Sequence, residues 1–426
     1  MRFGLLAVGA VIVALAGCGG DDDTALPPTA STTASVSSPA DAGPLLAVSS
    51  DAAGSRLAWV DGLTLEPVDE RSVALPFFAA GGGLSPDGTA VAVGAQEGAA
   101  VALVDLERMR SLGTVETDGS FVMELHWVRP NLLLAALGDV PSRAVAINPQ
   151  TREVLAVHDL GGTILYAEET DSGLVFLVAP SASIGPARVV VFDGSEVRSA
   201  KLGEIRAGWE QVEGSDEADY QARQSVPGLA VDPSGSRALV VPAGGRVAEV
   251  DLATMQVRYH DLTEPVSLLG RLRDWLEPAA HAKMIDGPDR NAVWLPSGLV
   301  AVSGNTYASE GDTLDITPAG LSLIDPSDWS TRRVSDQPGW VTFRDDALLA
   351  SAWTEGSDEQ TVMVFDPDGT PRFSLARKSA DLSQTHGGYL YATTANGTRF
   401  EIIDLATGKT VAEAKPERET YLLYLD

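Results

Sequence analysis

An internal repeat constrains the fold of this chain more than any other feature of its sequence. A short apolar run, rich in β-branched residues, ends in Asp or Asn and is followed by turn-forming residues and a second short strand-like run. We call that Asp or Asn the anchor residue. Five of the seven intervals between successive anchors span 38 to 45 residues, and the other two span 58 and 74. The chain is therefore an array of small units of one type. The eight anchors are Asp61, Asp105, Asn148, Asp193, Asp251, Asp325, Asp366 and Asp404.

A second motif supplies the other half of several units. It is a Pro-x-Gly turn that leads into an apolar run, as in Leu84-Ser-Pro-Asp-Gly88, Val231-Asp-Pro-Ser-Gly235 and Trp294-Leu-Pro-Ser-Gly298. Proline presets the first turn angle and glycine adopts a positive φ, so each copy predicts a hairpin. The two motifs together give four short strands per unit. One such sheet cannot cover both of its faces, whereas radial stacking of the sheets can, and the sequence therefore predicts an all-β β-propeller.

This repeat style resembles the bacterial propeller-repeat families of the WD-like, YVTN-like and TolB-like kind over residues 45–426. Eight anchors favour eight four-stranded blades, and seven blades with an extra N-terminal hairpin are the alternative. The first unit lacks an innermost strand, while residues 421–425 form a strand left over at the end. We expect this terminal strand to complete the N-terminal sheet and close the ring. The anchors are expected to accept backbone hydrogen bonds in turns.

The N-terminus contains the only cysteine of the chain, Cys18. Arg2 precedes an apolar run over residues 3–16, which is too short for a membrane span and suits a signal peptide. The stretch Leu15-Ala-Gly-Cys18 resembles the lipobox of bacterial lipoproteins. That resemblance implies a signal peptide over residues 1–17, cleavage before Cys18 and lipidation of Cys18 by palmitate-type acyl chains, which anchor the protein to the membrane. A plain secretory leader and an uncleaved anchor helix are the alternatives.

Composition indicates the nature of the segment that follows the signal peptide and shows which classes of partner are disfavoured. Residues 18–44 are rich in Asp, Ala, Ser, Thr and Pro without apolar periodicity, which predicts a disordered tether. The lipid on Cys18 is expected in the extracytoplasmic leaflet of the cell membrane, or in the outer membrane of a Gram-negative cell. The net charge of −29 disfavours nucleic acid as a partner, and a single cysteine excludes an intrachain disulfide framework.

Two long intervals between anchors locate insertions in the repeat. The first, residues 203–224, is strongly acidic and is interpreted as a solvated loop, with a ligand-facing loop as the alternative. The second, residues 264–283, has apolar residues at helical spacing and predicts a short amphipathic helix. The helix is expected to pack on the propeller or to present its apolar face to a partner protein. The candidate partner-binding residues are Leu268, Leu272, Trp275 and Leu276.

No catalytic or cofactor motif is present in the sequence. The five histidines are scattered over different units, and no metalloprotease, nucleophile-elbow or phosphate-loop motif occurs, so we expect no cofactor, no metal site and no catalytic residue. The leading hypothesis is an anchored envelope protein that binds or holds another protein. The alternatives are a solute- or glycan-binding propeller and a propeller hydrolase or lyase. Carboxylates and a histidine converging in the central channel would favour an enzyme, and aromatic and amide groups would favour sugar binding.

Overall fold

The computed structural model describes residues 42–51, 54–211, 222–263, 285–310, 313–353, 359–378, 380–394 and 397–423. Every regular element in these residues is a β-strand. The strands form seven four-stranded sheets and one eight-stranded sheet, each built mainly from neighbouring strands that pair antiparallel. We call the four-stranded sheets blades 1 to 7 and the larger one the extended sheet. Together they make a β-propeller.

The blades follow the order of the chain, except that blade 1 includes the last strand. Blade 1 contains β1 (Pro44–Asp51), β2 (Gly54–Asp61), β3 (Val73–Leu75) and β36 (Glu419–Leu422). Blade 2 contains β4 (Ala79–Leu84), β5 (Ala90–Ala95), β6 (Ala100–Asp105) and β7 (Arg110–Glu116), and blade 3 contains β8 (Val122–Arg129), β9 (Leu132–Leu137), β10 (Arg143–Asn148) and β11 (Glu153–Asp159).

Blades 4 to 7 continue the same pattern. Blade 4 contains β17 (Gly228–Val231), β18 (Arg237–Val241), β19 (Val247–Asp251) and β20 (Val257–His260), and blade 5 contains β22 (Asn291–Trp294), β23 (Val300–Ser303), β26 (Leu321–Asp325) and β27 (Ser330–Ser335). Blade 6 contains β28 (Trp340–Arg344), β29 (Ala347–Trp353), β30 (Glu359–Phe365) and β31 (Pro371–Lys378), and blade 7 contains β32 (Ala380–His386), β33 (Tyr389–Thr394), β34 (Arg399–Asp404) and β35 (Thr410–Ala414).

The extended sheet stands in the ring between blades 3 and 4, where β12 packs against both β8 and β17. Its first four strands follow the blade pattern, and four short strands from three later parts of the chain then continue the sheet beyond β15. The strands, in sheet order, are β12 (Thr163–Thr170), β13 (Gly173–Ala179), β14 (Gly185–Phe192), β15 (Val197–Gln211), β16 (Ala222–Ser225), β21 (Ile285–Pro288), β24 (Asn305–Glu310) and β25 (Thr313–Pro318).

The hydrophobic core lies between sheets rather than in one central mass. Each of eight clusters of buried side chains fills the junction between two neighbouring sheets. The cluster between blades 7 and 1 includes Tyr389, Tyr391 and Phe400 on one side and Leu45 and Leu422 on the other. This junction closes the ring, because β36 pairs antiparallel with β1 and supplies its innermost strand. The predicted closure by the C-terminal strand is confirmed, with the strand starting at Glu419.

The predicted turns are present. In all three Pro-x-Gly hairpins the glycine has a positive φ and its N–H donates across the turn at 2.8–2.9 Å. Seven of the eight anchors accept at least one backbone N–H through a side-chain oxygen, as Asp404 Oδ1 does from Ala406 and Thr407. Asp366 is the exception, because its Oδ1 instead accepts from the guanidinium of Arg372 at 2.5 Å. The structural interpretation of the anchors therefore holds for seven positions.

Two expectations about the architecture are corrected. Eight equal four-stranded blades are wrong, since seven sheets are four-stranded blades and the remaining one has eight strands. The first insertion is not a loop over its described residues. Residues 203–211 continue β15, with Ile205 and Ala207 buried between exposed Glu204 and Arg206, an alternation that the acidic composition masked. The predicted helix at 264–283 lies outside the described residues, which contain no helix.

Candidate functional site in the central channel

Charged side chains meet on the innermost strands, which line the channel of a propeller. Glu124 and His126 belong to β8 of blade 3, Glu168 and Glu169 to β12 of the extended sheet, and Arg344 ends β28 of blade 6. We call these five residues the channel cluster. Arg344 comes from the far side of the ring, with blades 4 and 5 between it and the extended sheet, yet its charge acts on both Glu124 and Glu168. Electrostatic interactions within the cluster therefore extend across the channel.

His126 is held at both ring nitrogens. Nδ1 lies 2.9 Å from Glu169 Oε2, and Nε2 lies 2.8 Å from the carbonyl oxygen of Thr170. A carbonyl only accepts, so Nε2 carries a proton, and an ionised Glu169 favours a second proton on Nδ1. Burial by itself would lower the pKa of His126, but the hydrogen bond to Glu169 and its charge raise that pKa above its usual value. His126 thus links blade 3 to the extended sheet, and its contact with Glu169 favours the protonated form.

Glu124 and Glu168 are half-buried carboxyl groups, and few hydrogen bonds or positive charges offset the cost of burying them. Burial raises the pKa of Glu124 to about 7, and the negative charge of Glu169 adds to the rise, while Arg344 opposes it. Burial likewise raises the pKa of Glu168 to about 7, with the charge of Glu124 as the second cause. Glu168 makes no hydrogen bond or ion pair with the part of the chain that the structure describes. Near neutral pH each of the two carboxyls is therefore partly protonated.

A second polar network lies between β12 and β24, the first and seventh strands of the extended sheet. Tyr166 of β12 donates to the carbonyl of Arg290 at 2.6 Å, beside Asp289. Asp289 accepts from Tyr307 at 2.9 Å and from the N–H of Asn305 at 2.6 Å. Burial raises the pKa of Asp289 and of both tyrosines above their usual values. Because these groups are satisfied by one another, the network holds β24 in place and leaves little capacity for a ligand.

The sequence-predicted site residues fall into two groups. Cys18 and the candidate partner-binding residues Leu268, Leu272, Trp275 and Leu276 lie outside the described residues. His158 and His260, each of which precedes an aspartate, both have structural contacts. The ring of His158 packs edge-on against Phe192, and that of His260 stacks on Trp329 at 3.7 Å with Nε2 2.9 Å from Glu249. The described residues contain no group of three His, Cys, Asp or Glu placed to hold a metal ion.

Sequence reasoning missed the channel cluster. Its members are 220 residues apart at the extremes, Glu124 to Arg344, and their proximity depends on the closed ring. One local signal was available: Glu168 and Glu169 directly follow the apolar residues 164–167 in β12, and a charged pair in an inner strand of a propeller points to the channel. No described helix is long and apolar enough to cross a membrane.

A surface cleft of about 400 Å³ offers a weaker alternative site. It lies at blade 2, next to the β3–β4 connection, and contains none of the channel carboxylates. Its acidic residues Glu97, Glu116 and Asp118 are exposed, so water already solvates them. A cleft of this kind has no desolvated group that a ligand would satisfy, which leaves the channel cluster as the better candidate.

Comparisons with known proteins identify the fold. The structure is similar to a dihydro-heme d1 dehydrogenase, NirN, with a TM-score of 0.57 and 14% identity over 88% of this chain and 74% of that one. It is also similar to Sqt1 of Saccharomyces cerevisiae (TM-score 0.51, 12% identity, 83% and 90% of the two chains) and to apo AztD of Citrobacter koseri (0.50, 12%, 89% and 96%). At such identities the likeness concerns the propeller fold alone. The sequence matches no protein-family profile and no curated protein.

Proposed function

We propose that the chain is a lipid-anchored, extracytoplasmic binding protein whose propeller channel takes a small solute with a positively charged group. The observation that supports this best is the pair of half-buried carboxyls, Glu124 and Glu168, on neighbouring inner strands. Buried carboxylates in proteins are usually paired, and Glu168 has no such partner among the described residues. An ammonium or guanidinium group of a solute would provide the missing partner. In this proposal the membrane lipid is attached to Cys18, because Cys18 stands in a lipobox-like sequence.

The state of His126 favours binding over catalysis. Both ring nitrogens are engaged, one by Glu169 and the other by the Thr170 carbonyl. A histidine held in this way is not available to take a proton from a substrate. It stabilises the wall of the site through its contacts with Glu169 and Thr170, which leaves Glu124 and Glu168 to meet the ligand.

Calorimetric titration with organic cations, and with an anion and a neutral sugar as controls, tests the proposal. Spermidine, L-arginine and choline are the cations, and citrate and glucose are the controls. We expect at least one cation to bind, more tightly at pH 8 than at pH 6 because the carboxyls then lose their protons. Glu168→Gln should weaken binding about tenfold, which corresponds to the loss of one charged contact of about 1.4 kcal/mol. Glu153→Gln, an exposed carboxyl on β11, is the matched control. Equal binding by the Glu168 variant, or none by any cation, contradicts the proposal.

A channel-sited hydrolase or lyase is the second candidate, supported by one specific observation. Burial raises the pKa of both Glu124 and Glu168 to about 7, so that one can be protonated while the other is ionised, as acid–base catalysis requires. Chromogenic glycosides, esters and uronate polymers test this candidate. Turnover that disappears in Glu124→Gln and persists in Glu153→Gln would favour an enzyme, and no turnover of any substrate would leave binding as the function.

A scaffold role remains a prediction that rests on residues 264–283. If that segment binds an envelope protein, Leu272→Asp and Trp275→Ala should each abolish co-purification of a stoichiometric partner from membranes. An unchanged partner would remove the basis for the role. The lipid anchor has an independent test, because the mass of the mature N-terminus shows whether Cys18 is acylated and is the first residue.

A further inference from the structure

Most outermost strands of the four-stranded blades are protected against strand addition. An edge strand exposes unpaired N–H and C=O groups, and proteins block such edges with bulges, short strands or covering segments. A bulge interrupts the outer strand of five blades, namely β7, β11, β27, β31 and β35. β3 has three residues, β20 has four, and β16 covers the end of β15.

β25, the last strand of the extended sheet, lacks these protections. It pairs with β24 in an uninterrupted register from Asn305↔Pro318 to Glu310↔Thr313, without a bulge. It has six residues, and no other strand of the described residues pairs with its outer side. Pro318, which lacks an N–H, stands at its very end and leaves the preceding residues unobstructed.

The hydrogen-bond phase shows which backbone groups are open. The N–H of Ala319 donates to the carbonyl of Gly304, which makes residues 304 and 319 a hydrogen-bonded pair. Such pairs alternate with non-bonded pairs along an antiparallel ladder, so Asp315 and Thr317 point their backbone groups toward β24. Leu314 and Ile316 therefore direct their N–H and C=O groups away from the sheet. These four groups form a row for a further strand.

The side chains beside this row indicate the chemistry of an incoming strand. Asp315 is exposed on one face, and Ile316 is 37% exposed on the other. A residue directly opposite each of them in an added strand would lie within about 5 Å on the same face. A second copy of this chain would bring another Asp315 and another net charge of −29 to the edge, and the two would repel. A basic residue opposite Asp315 would be attracted instead.

We propose that the β25 edge binds one extended segment of a partner protein by β-strand addition, with Lys or Arg opposite Asp315 and an aliphatic residue opposite Ile316. The added strand would pair with the open groups of Leu314 and Ile316 and continue the sheet beyond β25. This mode takes affinity from main-chain hydrogen bonds and specificity from alternate side chains. Strand addition at β25 uses no residue of the channel cluster, so its test is independent of the test for solute binding.

A synthetic peptide of sequence KTVKVTK, labelled for fluorescence anisotropy, tests the proposal with the whole protein. We expect saturable binding that weakens with added salt, since part of the attraction is between Asp315 and a lysine. Ile316→Pro removes one outward N–H without removing a bond to β24 and should weaken binding about tenfold. Ile316→Thr keeps that N–H and is the matched control. Asp315→Lys should also weaken binding, and Asp315→Asn less so.

Hydrogen exchange provides a readout that does not depend on variants. In the free protein the amides of Leu314 and Ile316 should exchange rapidly and those of Asp315 and Thr317 slowly. The peptide should slow the first two and leave the others unchanged. The proposal is overturned if the peptide fails to bind at millimolar concentration, or if it binds without protecting these two amides. A protein dimer that Ile316→Pro dissolves would also overturn it, because the occupant would then be a second copy.

Discussion

At the scale of single residues, the chemistry of this protein comes from ionisable groups that its fold moves away from water. Several aspartates of the described residues sit in turns, where they accept backbone hydrogen bonds and their pKa values fall, as at Asp61 and Asp251. Glu124 and Glu168 behave in the opposite way, because burial raises their pKa values. A carboxyl with this property stabilises the folded state when protonated and destabilises it when ionised.

This difference predicts a pH dependence of stability. For Glu168 the pKa is about 7 in the folded protein and 4.5 in the unfolded chain, so its contribution is complete below pH 4.5 and is lost as the pH rises through 7. The loss amounts to at most about 3 kcal/mol at 1.36 kcal/mol per pKa unit. Urea denaturation at pH 5 and pH 8 should show Glu168→Gln gaining stability relative to wild type as the pH rises. Glu153→Gln should show no such change, and a gain of the same size there would refute the explanation.

At the scale of elements, a turn of one type recurs after the third strand of successive sheets. Asp404 Oδ1 accepts the N–H of Ala406 at 3.1 Å, the N–H of Thr407 at 2.7 Å and the hydroxyl of Thr407 at 2.8 Å. The fourth residue after the anchor then takes a left-handed conformation, with φ of 68° at Gly408 and 57° at Met255. The same geometry recurs with different residues because the anchor, rather than glycine, fixes the turn.

Removal of the anchor carboxylate should therefore destabilise a blade. Asp404→Ala leaves two backbone N–H groups without their acceptor and is expected to lower the free energy of unfolding by about 1–3 kcal/mol. Asp404→Asn keeps an oxygen in place and should cost less than about 1 kcal/mol. Urea midpoints at constant slope measure both changes. Equal losses in the two variants would mean that the charge, and not the acceptor, matters at this turn.

These turns also show which features of the fold can be predicted from the sequence. Local chemistry repeated along the chain predicted the strands, the hairpins at Gly88, Gly235 and Gly298, and the structural role of seven anchors. The outer half of the extended sheet could not be predicted, because β16, β21 and β24 come from separate parts of the chain and are short. Their pairing is non-local and leaves no periodic signal. The channel cluster escaped prediction for the same reason, since its residues meet only once the ring closes.

At the scale of the whole molecule, ring closure makes the two ends of the chain depend on each other. β36 pairs with β1 over Ala47↔Leu422 to Ser50↔Glu419, and the N–H of Leu423 donates to the carbonyl of Leu46 at 3.0 Å. Leu422 is buried between blades 7 and 1, whereas its neighbour Tyr421 is 50% exposed. Any opening of the ring separates these contacts and also disturbs the inner strands that carry the channel cluster.

The adjacent pair Leu422 and Tyr421 allows a matched test of closure. Leu422→Ala removes a buried side chain at the seam and should lower the free energy of unfolding by about 2–4 kcal/mol, while Tyr421→Ala, one residue away on the exposed side, should cost less than about 1 kcal/mol. If the seam is where the ring opens first, Leu422→Ala should also speed hydrogen exchange in β1 and β36 more than in β9 and β13, the interior strands of sheets far from the seam. Uniformly faster exchange throughout the ring would show instead that the propeller unfolds as one unit and that the seam is not its weakest junction.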